Sequence, residues 1–125
     1  MLSAGVPGMI EEVLKYNVKS LDYVDINPWL TDQLEEYSDV YNSKKIRIIN
    51  KDAREYVERT NKQYDVVIIG VPEPSTVQLN RFYTEEFYSS LKKILTSAGV
   101  ISFNISGSLN YLSDETVRLY SSLMN

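Results

Sequence analysis

Four short runs of β-branched and aromatic residues, Leu21 to Ile26, Ile46 to Ile49, Tyr64 to Ile69 and Val100 to Ile105, are each bounded by polar or glycine positions, and they predict strands. Between them the apolar residues recur at helical spacing. Met9 to Tyr16 reads as a first helix after a glycine turn. Asn27-Pro28 sets a capping amide before a proline at the first helical position, and Leu30, Leu34, Tyr37 and Tyr41 then share one face. Asp52, with Glu55 three residues on, has the form of a capping box and opens a helix carrying Tyr56 and Val57. Thr84 precedes Phe87, Leu91, Ile94 and Leu95, a helix expected to stop at Ala98-Gly99. Ser113 or Asp114 opens a last helix, with Val117, Tyr120 and Leu123 or Met124 turned inward.

Strands that alternate with helices imply right-handed crossovers and a mostly parallel sheet covered on both faces, so the fold class is doubly wound α/β. Ser3 to Gly8 looks like the turn after a first strand, yet only Met1 to Ser3 remain to make it, and in this architecture that strand is central. Residues 1–125 therefore read as a single domain taken from a longer protein, or as one whose sheet another chain completes or covers.

The 125 residues, 43% of them hydrophobic, suit one globular domain. A net charge of -4 argues against a phosphate-backbone partner, so no nucleic acid is expected, while it fits a cationic ligand. The absence of Cys and His removes disulfides, thiolate and imidazole chemistry and the usual zinc ligands, and no metal site is expected. No apolar run approaches the roughly 18 residues of a membrane span. A soluble cytoplasmic domain without membrane contact is the expectation.

Candidate chemistry gathers where strands deliver the chain into turns, since ligands of open α/β sheets sit at the carboxyl ends of the strands. Gly5 and Gly8 would let backbone amides approach a ligand, or they form a tight turn and nothing more. Asp25, about 20 residues beyond that turn, is placed to accept both hydroxyls of a ribose, or to join Asn27 in capping the next helix. Asp52 can present its carboxylate to the amino group of an adenine as well as cap a helix. Alkyl transfer from a sulfonium to an amine needs the amine deprotonated, work for a carboxylate at the strand tip, while neighbouring carboxylates hold the cation. After the Tyr64 to Ile69 strand, Glu73 is available for the second role and Gly70 offers no side chain for the first. Tyr83 either closes over the pocket and offers its hydroxyl to an amine or packs as a staple beside the Thr84 cap.

Together these segments resemble the spermidine and spermine synthases, aminopropyltransferases with a methyltransferase-like Rossmann fold. The family's Gly-Gly-Gly-Asp-Gly-Gly turn and Glu-Val-Leu-Lys helix correspond to Ser3 to Gly8 and Glu12-Val13-Leu14-Lys15 at the same offset. Val24-Asp25-Ile26-Asn27 is similar to the family's Val-Glu-Ile-Asp, whose Glu binds the ribose, and Asp52-Ala53 matches the Asp-Ala pair that contacts adenine. Glu73-Pro74 and Phe82 to Tyr88 match the Asp-Pro and Leu-Tyr-x-x-Glu-Phe-Tyr segments. The resemblance runs through nearly the whole chain in register. It implies an S-adenosylmethionine-dependent methyltransferase-like fold truncated at both ends, without the family's N-terminal β-domain and last strands. Two departures fall at the reaction centre: Val6 stands where the family's turn carries the Asp that holds the donor's amine, and Gly70 where it has the catalytic Asp.

The leading expectation is a domain that binds an adenosine-containing ligand, either S-adenosylmethionine, its decarboxylated form or methylthioadenosine, with aminopropyl transfer to a polyamine weakened or lost. The ligand is a co-substrate and no cofactor is tightly bound. Gly5, Gly8, Asp25, Asp52 and Ala53 are its expected contacts, and Glu73 and Tyr83 border the amine pocket as the catalytic candidates. Whether the chain is an enzyme stays open. The alternatives are an active polyamine aminopropyltransferase using Glu73, a non-catalytic scaffold or regulatory module, and a small-molecule methyltransferase on the same fold. Partners are a nucleoside and a polyamine, with room for a homodimer or for contacts with the rest of a parent chain.

Overall fold

The structure, a computed structural model, describes residues 1–3, 8–104, 114, 117, 118 and 121. Along the chain run α1 (Met9–Leu14), β1 (Leu21–Asp25), α2 (Pro28–Tyr37), β2 (Ile46–Asn50), α3 (Ala53–Arg59), β3 (Tyr64–Ile69), α4 (Val77–Asn80), α5 (Glu85–Lys93) and β4 (Leu95–Phe103). β1 pairs in parallel with β2, and β3 with β4. Leu2 bridges Val24 on one side and Ile69 on the other, also in parallel, and joins the two pairs into one sheet. The central first strand expected from the sequence is thus present as a single rung.

Adjacent β1 residues point to opposite faces, and the core divides accordingly. Tyr23 and Leu21 pack with Ile10 of α1, Leu34 of α2 and Tyr41. Val24 packs with Leu2, Val67 and Ile69 and with Val57 of α3 and Phe87 and Leu91 of α5. Helices therefore cover both faces, and the doubly wound class read from the sequence stands.

The helix caps are those the sequence spells out. Asn27 accepts from Trp29 N at 3.1 Å, Asp52 from Arg54 N and Glu55 N at 3.0 and 3.1 Å, and Thr84 from Phe87 N at 3.3 Å. Glu55 completes no capping box, for its carboxylate pairs with Arg59 at 3.0 Å. α4, capped by Thr76 through Leu79 N at 3.2 Å, has no counterpart in the sequence reading.

Two boundaries differ for physical reasons. α2 stops at Tyr37, which is 70% exposed, because Ser38 is extended; the buried Tyr41 belongs to a 3-10 turn, Asp39–Asn42. α5 ends at Lys93, several residues before Gly99. Leu95 already pairs with Tyr64, and the next pair is Val66 with Val100, so β4 carries a wide bulge. A Cβ on Gly99 would lie 3.0 Å from Leu95 and from the Tyr64 carbonyl, so this glycine serves close approach in the bulge. Of the last predicted helix only Asp114, Val117, Arg118 and Ser121 lie among the described residues; all four are helical, but Val117 is exposed and not turned inward as its spacing suggested.

All of β1 is buried, including two carboxylates. At its amino end Asp22 Oδ2 accepts from Tyr64 Oη at 2.6 Å, Arg47 Nη2 at 2.8 Å, Lys62 Nζ at 3.1 Å and Tyr56 Oη at 3.2 Å. Burial alone would push this carboxyl up, but the bonds from Tyr64, Lys62 and Arg47 outweigh it and hold it below its ordinary 3.8. The Met1 amine donates to the Asp22 carbonyl at 2.6 Å, and burial lowers its pKa from 8.0 to about 6 against the pull of the Asp22 charge.

A pH dependence follows. With the folded pKa depressed, the unfolded chain takes up this proton first as the pH falls from 8 to 6, so stability should be highest above that window. It should drop by roughly 2 kcal/mol across it and then level off. No His titrates in the same range. Urea midpoints of the polypeptide beginning at Met1, compared at pH 6 and 8 and repeated after N-terminal acetylation, check this; equal midpoints before acetylation would refute it.

Candidate functional site

Because the strands are parallel, the ends of β2, β1, the Met1–Ser3 rung and β3 all open on one edge of the sheet. Asp25 is the last residue of β1 and lies opposite Asn50, the last of β2. Its Oδ1 accepts from Asn27 N at 2.9 Å and its Oδ2 from Tyr23 Oη at 3.3 Å. A carboxylate offers about four lone-pair sites, so Asp25 both orders the turn into α2 and keeps acceptor capacity for a ligand. Of the two sequence readings of this residue, the bond from Asn27 N supports its part at the start of α2. Asn50 is fixed by Thr31 Oγ1 at 2.9 Å, a buried hydroxyl that also donates to the Pro28 carbonyl at 2.8 Å.

Asp52 caps α3 two residues beyond Asn50, and Ala53 behind it is buried in the core with Val57. The cap uses Oδ1, while Oδ2 is held in an ion pair by Arg81 Nη2. Arg81 arrives from the connection between β3 and α5. Its guanidinium lies 4.8 Å from the centre of the Phe82 ring, and its carbonyl accepts from Arg54 Nη1 at 2.8 Å. That connection, which carries Glu73 and Tyr83, is thereby pinned to the turn after β2.

Gly8 precedes α1 with φ 105°, a conformation that L side chains rarely adopt. Among the described residues a Cβ there would meet Glu11 Oε2 alone, at 3.6 Å, and the backbone conformation calls for glycine. Gly5 and Val6 lie outside the described residues.

At the end of β3, Gly70 N donates to the Leu2 carbonyl at 2.9 Å. Tyr83 Oη lies 3.1 Å from the carbonyls of Val71 and of Pro72, to which it donates. Burial, and after it the charge of Glu73, raise the Tyr83 pKa, so the phenol is a neutral donor near pH 7. Neither sequence reading of Tyr83 included this bond to the strand-end backbone. The side chain also packs against the core, as a staple would. Glu73 is half-buried, and its charge acts on Tyr83.

Arg81, Thr31 and Asn50 were not singled out from the sequence. An arginine directly before the aromatic pair Phe82-Tyr83 was the available signal for Arg81. Among the described residues, no three Asp or Glu side chains converge where a metal ion could sit, and no helix is long and apolar enough to cross a membrane.

Residues 4–117 match the family described as the spermine/spermidine synthase domain. A polyamine aminopropyltransferase of Oceanobacillus iheyensis is 32% identical over 99 residues, 73% of this chain and 19% of that protein. One of Leptospira interrogans is 29% identical over 109 residues, 81% of this chain and 22% of that protein. The chain thus spans about a fifth of the length of these relatives. In shape it is similar to spermidine synthase from Thermotoga maritima, with TM-score 0.77 and 22% identity over 98% of this chain and 42% of that one. A spermidine synthase in complex with the transition-state analogue AdoDATO gives TM-score 0.70 and 24% identity over 82% of this chain and 36% of that one. The structural likenesses establish the methyltransferase-like fold.

Proposed function

Since this chain belongs to the spermine/spermidine synthase domain family, we propose that it binds an adenosine-containing ligand, with Asp25 on the ribose and Asp52 on the adenine, and that aminopropyl transfer is weakened by the missing carboxylate at Gly70. One observation carries this reading. Asp25 and Asp52 stand at the ends of neighbouring paired strands, on the edge where such sheets take their ligands. Adenosine itself is uncharged at the contacts in question, so methylthioadenosine is a sufficient probe.

The test is calorimetric titration of methylthioadenosine into the chain and into Asp25→Asn. Asparagine keeps an oxygen for Asn27 N and so preserves the turn, but it loses the charged acceptor for the ribose. A hydrogen bond to a charged group contributes about 1.5–3 kcal/mol, so affinity should fall roughly ten- to a hundredfold. Absence of binding to the folded parent chain at millimolar ligand would remove the reading.

A second reading, full activity with Glu73 as base, is favoured by the charge of Glu73 acting on Tyr83. In it the acceptor nitrogen bonds to the carbon beside the sulfonium, the C–S pair leaves with sulfur as methylthioadenosine, and the amine proton passes to Glu73. The two readings part on whether the full-length protein converts putrescine and decarboxylated S-adenosylmethionine to spermidine at an ordinary enzymatic rate.

A further inference from the structure

A groove of about 260 Å³ runs between β2 and α3, lined by Arg47, Lys51, Arg59 and Lys62, with Tyr56 beside them and Glu55 as its one acid. The chain as a whole is acidic, at -4, yet four of its 13 Lys and Arg residues converge here, so the local sign is opposite to the global one. Two of the four are also held in place. Arg47 and Lys62 reach the buried Asp22 at 2.8 and 3.1 Å while keeping 52% and 49% of their side-chain surface exposed. Among the described residues, Asp22 and Tyr56 engage only Nη2 of Arg47 and leave the rest of its donor fork open. Lys51 has no ion pair among the described residues, and Arg59 has only the half-exposed Glu55 at 3.0 Å.

From this we infer a second binding site, for a compact phosphate-bearing anion. Asp22 anchors two cations at fixed spacing and so removes part of the ordering cost of binding. Arg forks suit bidentate contact with phosphate oxygens. The volume is below the range of about 300–1,000 Å³ typical of pockets for drug-sized ligands, which points to a small di- or triphosphate group. The site does not depend on the nucleoside reading above.

The experiment is calorimetry at low ionic strength with inorganic pyrophosphate and, separately, a nucleoside diphosphate, which distinguishes free from esterified phosphate. Saturable binding of either is expected. It should weaken at least tenfold in Lys51→Gln/Arg59→Gln, two positions outside the Asp22 cluster, with the circular dichroism unchanged. Glu55→Gln should tighten it by removing the acid that competes for Arg59. Failure of both probes to saturate, equal affinity in the double variant, or equal response to sulfate and chloride, meaning an adventitious ion only, would overturn the site.

Discussion

Replacing Asp22 with alanine is expected to cost about 3 kcal/mol of stability, read as a lower urea midpoint. The carboxylate is buried, and one of its oxygens takes four donors from β2, α3, β3 and the loop between the last two. Removing one partner of a buried ionic cluster typically costs about 3–5 kcal/mol, because the others are left uncompensated. The lower end applies because Arg47 and Lys62 are half-exposed and can turn to water. Tyr56 and Tyr64, 2.6 Å apart, keep each other as partners. Asp22→Asn retains an acceptor oxygen and should fall between the two.

The same residue sets an acid limb. Its folded pKa lies below 3.8, so its contribution is present above that value and is lost as the pH falls through the folded pKa. The alanine variant should lose that limb while keeping the one between pH 6 and 8. A change under about 1 kcal/mol would show that the cluster is replaceable by solvent.

The second large effect is a gain. In the full-length protein Gly70→Asp should raise aminopropyl transfer from decarboxylated S-adenosylmethionine to putrescine by about two to four orders of magnitude, the usual contribution of a positioned general base. Gly70 follows β3 directly, and its backbone is outside the positive-φ region that would strain an aspartate. On the proposed function, the new carboxylate would take the amine proton. Spermidine measured by mass spectrometry decides the matter. An unchanged rate, with methylthioadenosine affinity retained, would mean that the missing base does not limit the chemistry.

Much of the scaffold was legible in the sequence because buried parallel strands and helix caps are local signals. β3 lies where its β-branched run placed it, and Asn27, Asp52 and Thr84 cap the helices they precede. The boundary at Leu95 was not legible, since Leu91, Ile94 and Leu95 continue a helical spacing and only the cross-strand pairing with Tyr64 cuts it short. At the site, the placement of Asp25 and Asp52 after neighbouring strands could be read because it depends on position alone. The ion pair between Arg81 and Asp52 joins residues 29 apart, and no periodicity carries such a contact. Asp22 did leave a sign that went unread: a charge inside a strand buried on both faces must find partners.

The Met1–Ser3 rung has a mechanical consequence. Among the described residues, the main-chain bonds that join the β1–β2 pair to the β3–β4 pair are those of Leu2 to Ile68 and Gly70, of Ser3 to Val24 and of Met1 to Val24 and Asp22. Two-stranded units are marginal in water by themselves, so this keystone sets how far a disturbance in one half propagates to the other. Tension across the molecule would be shared between those amides and the Asp22–Tyr64 contact, and the halves would part only once both let go.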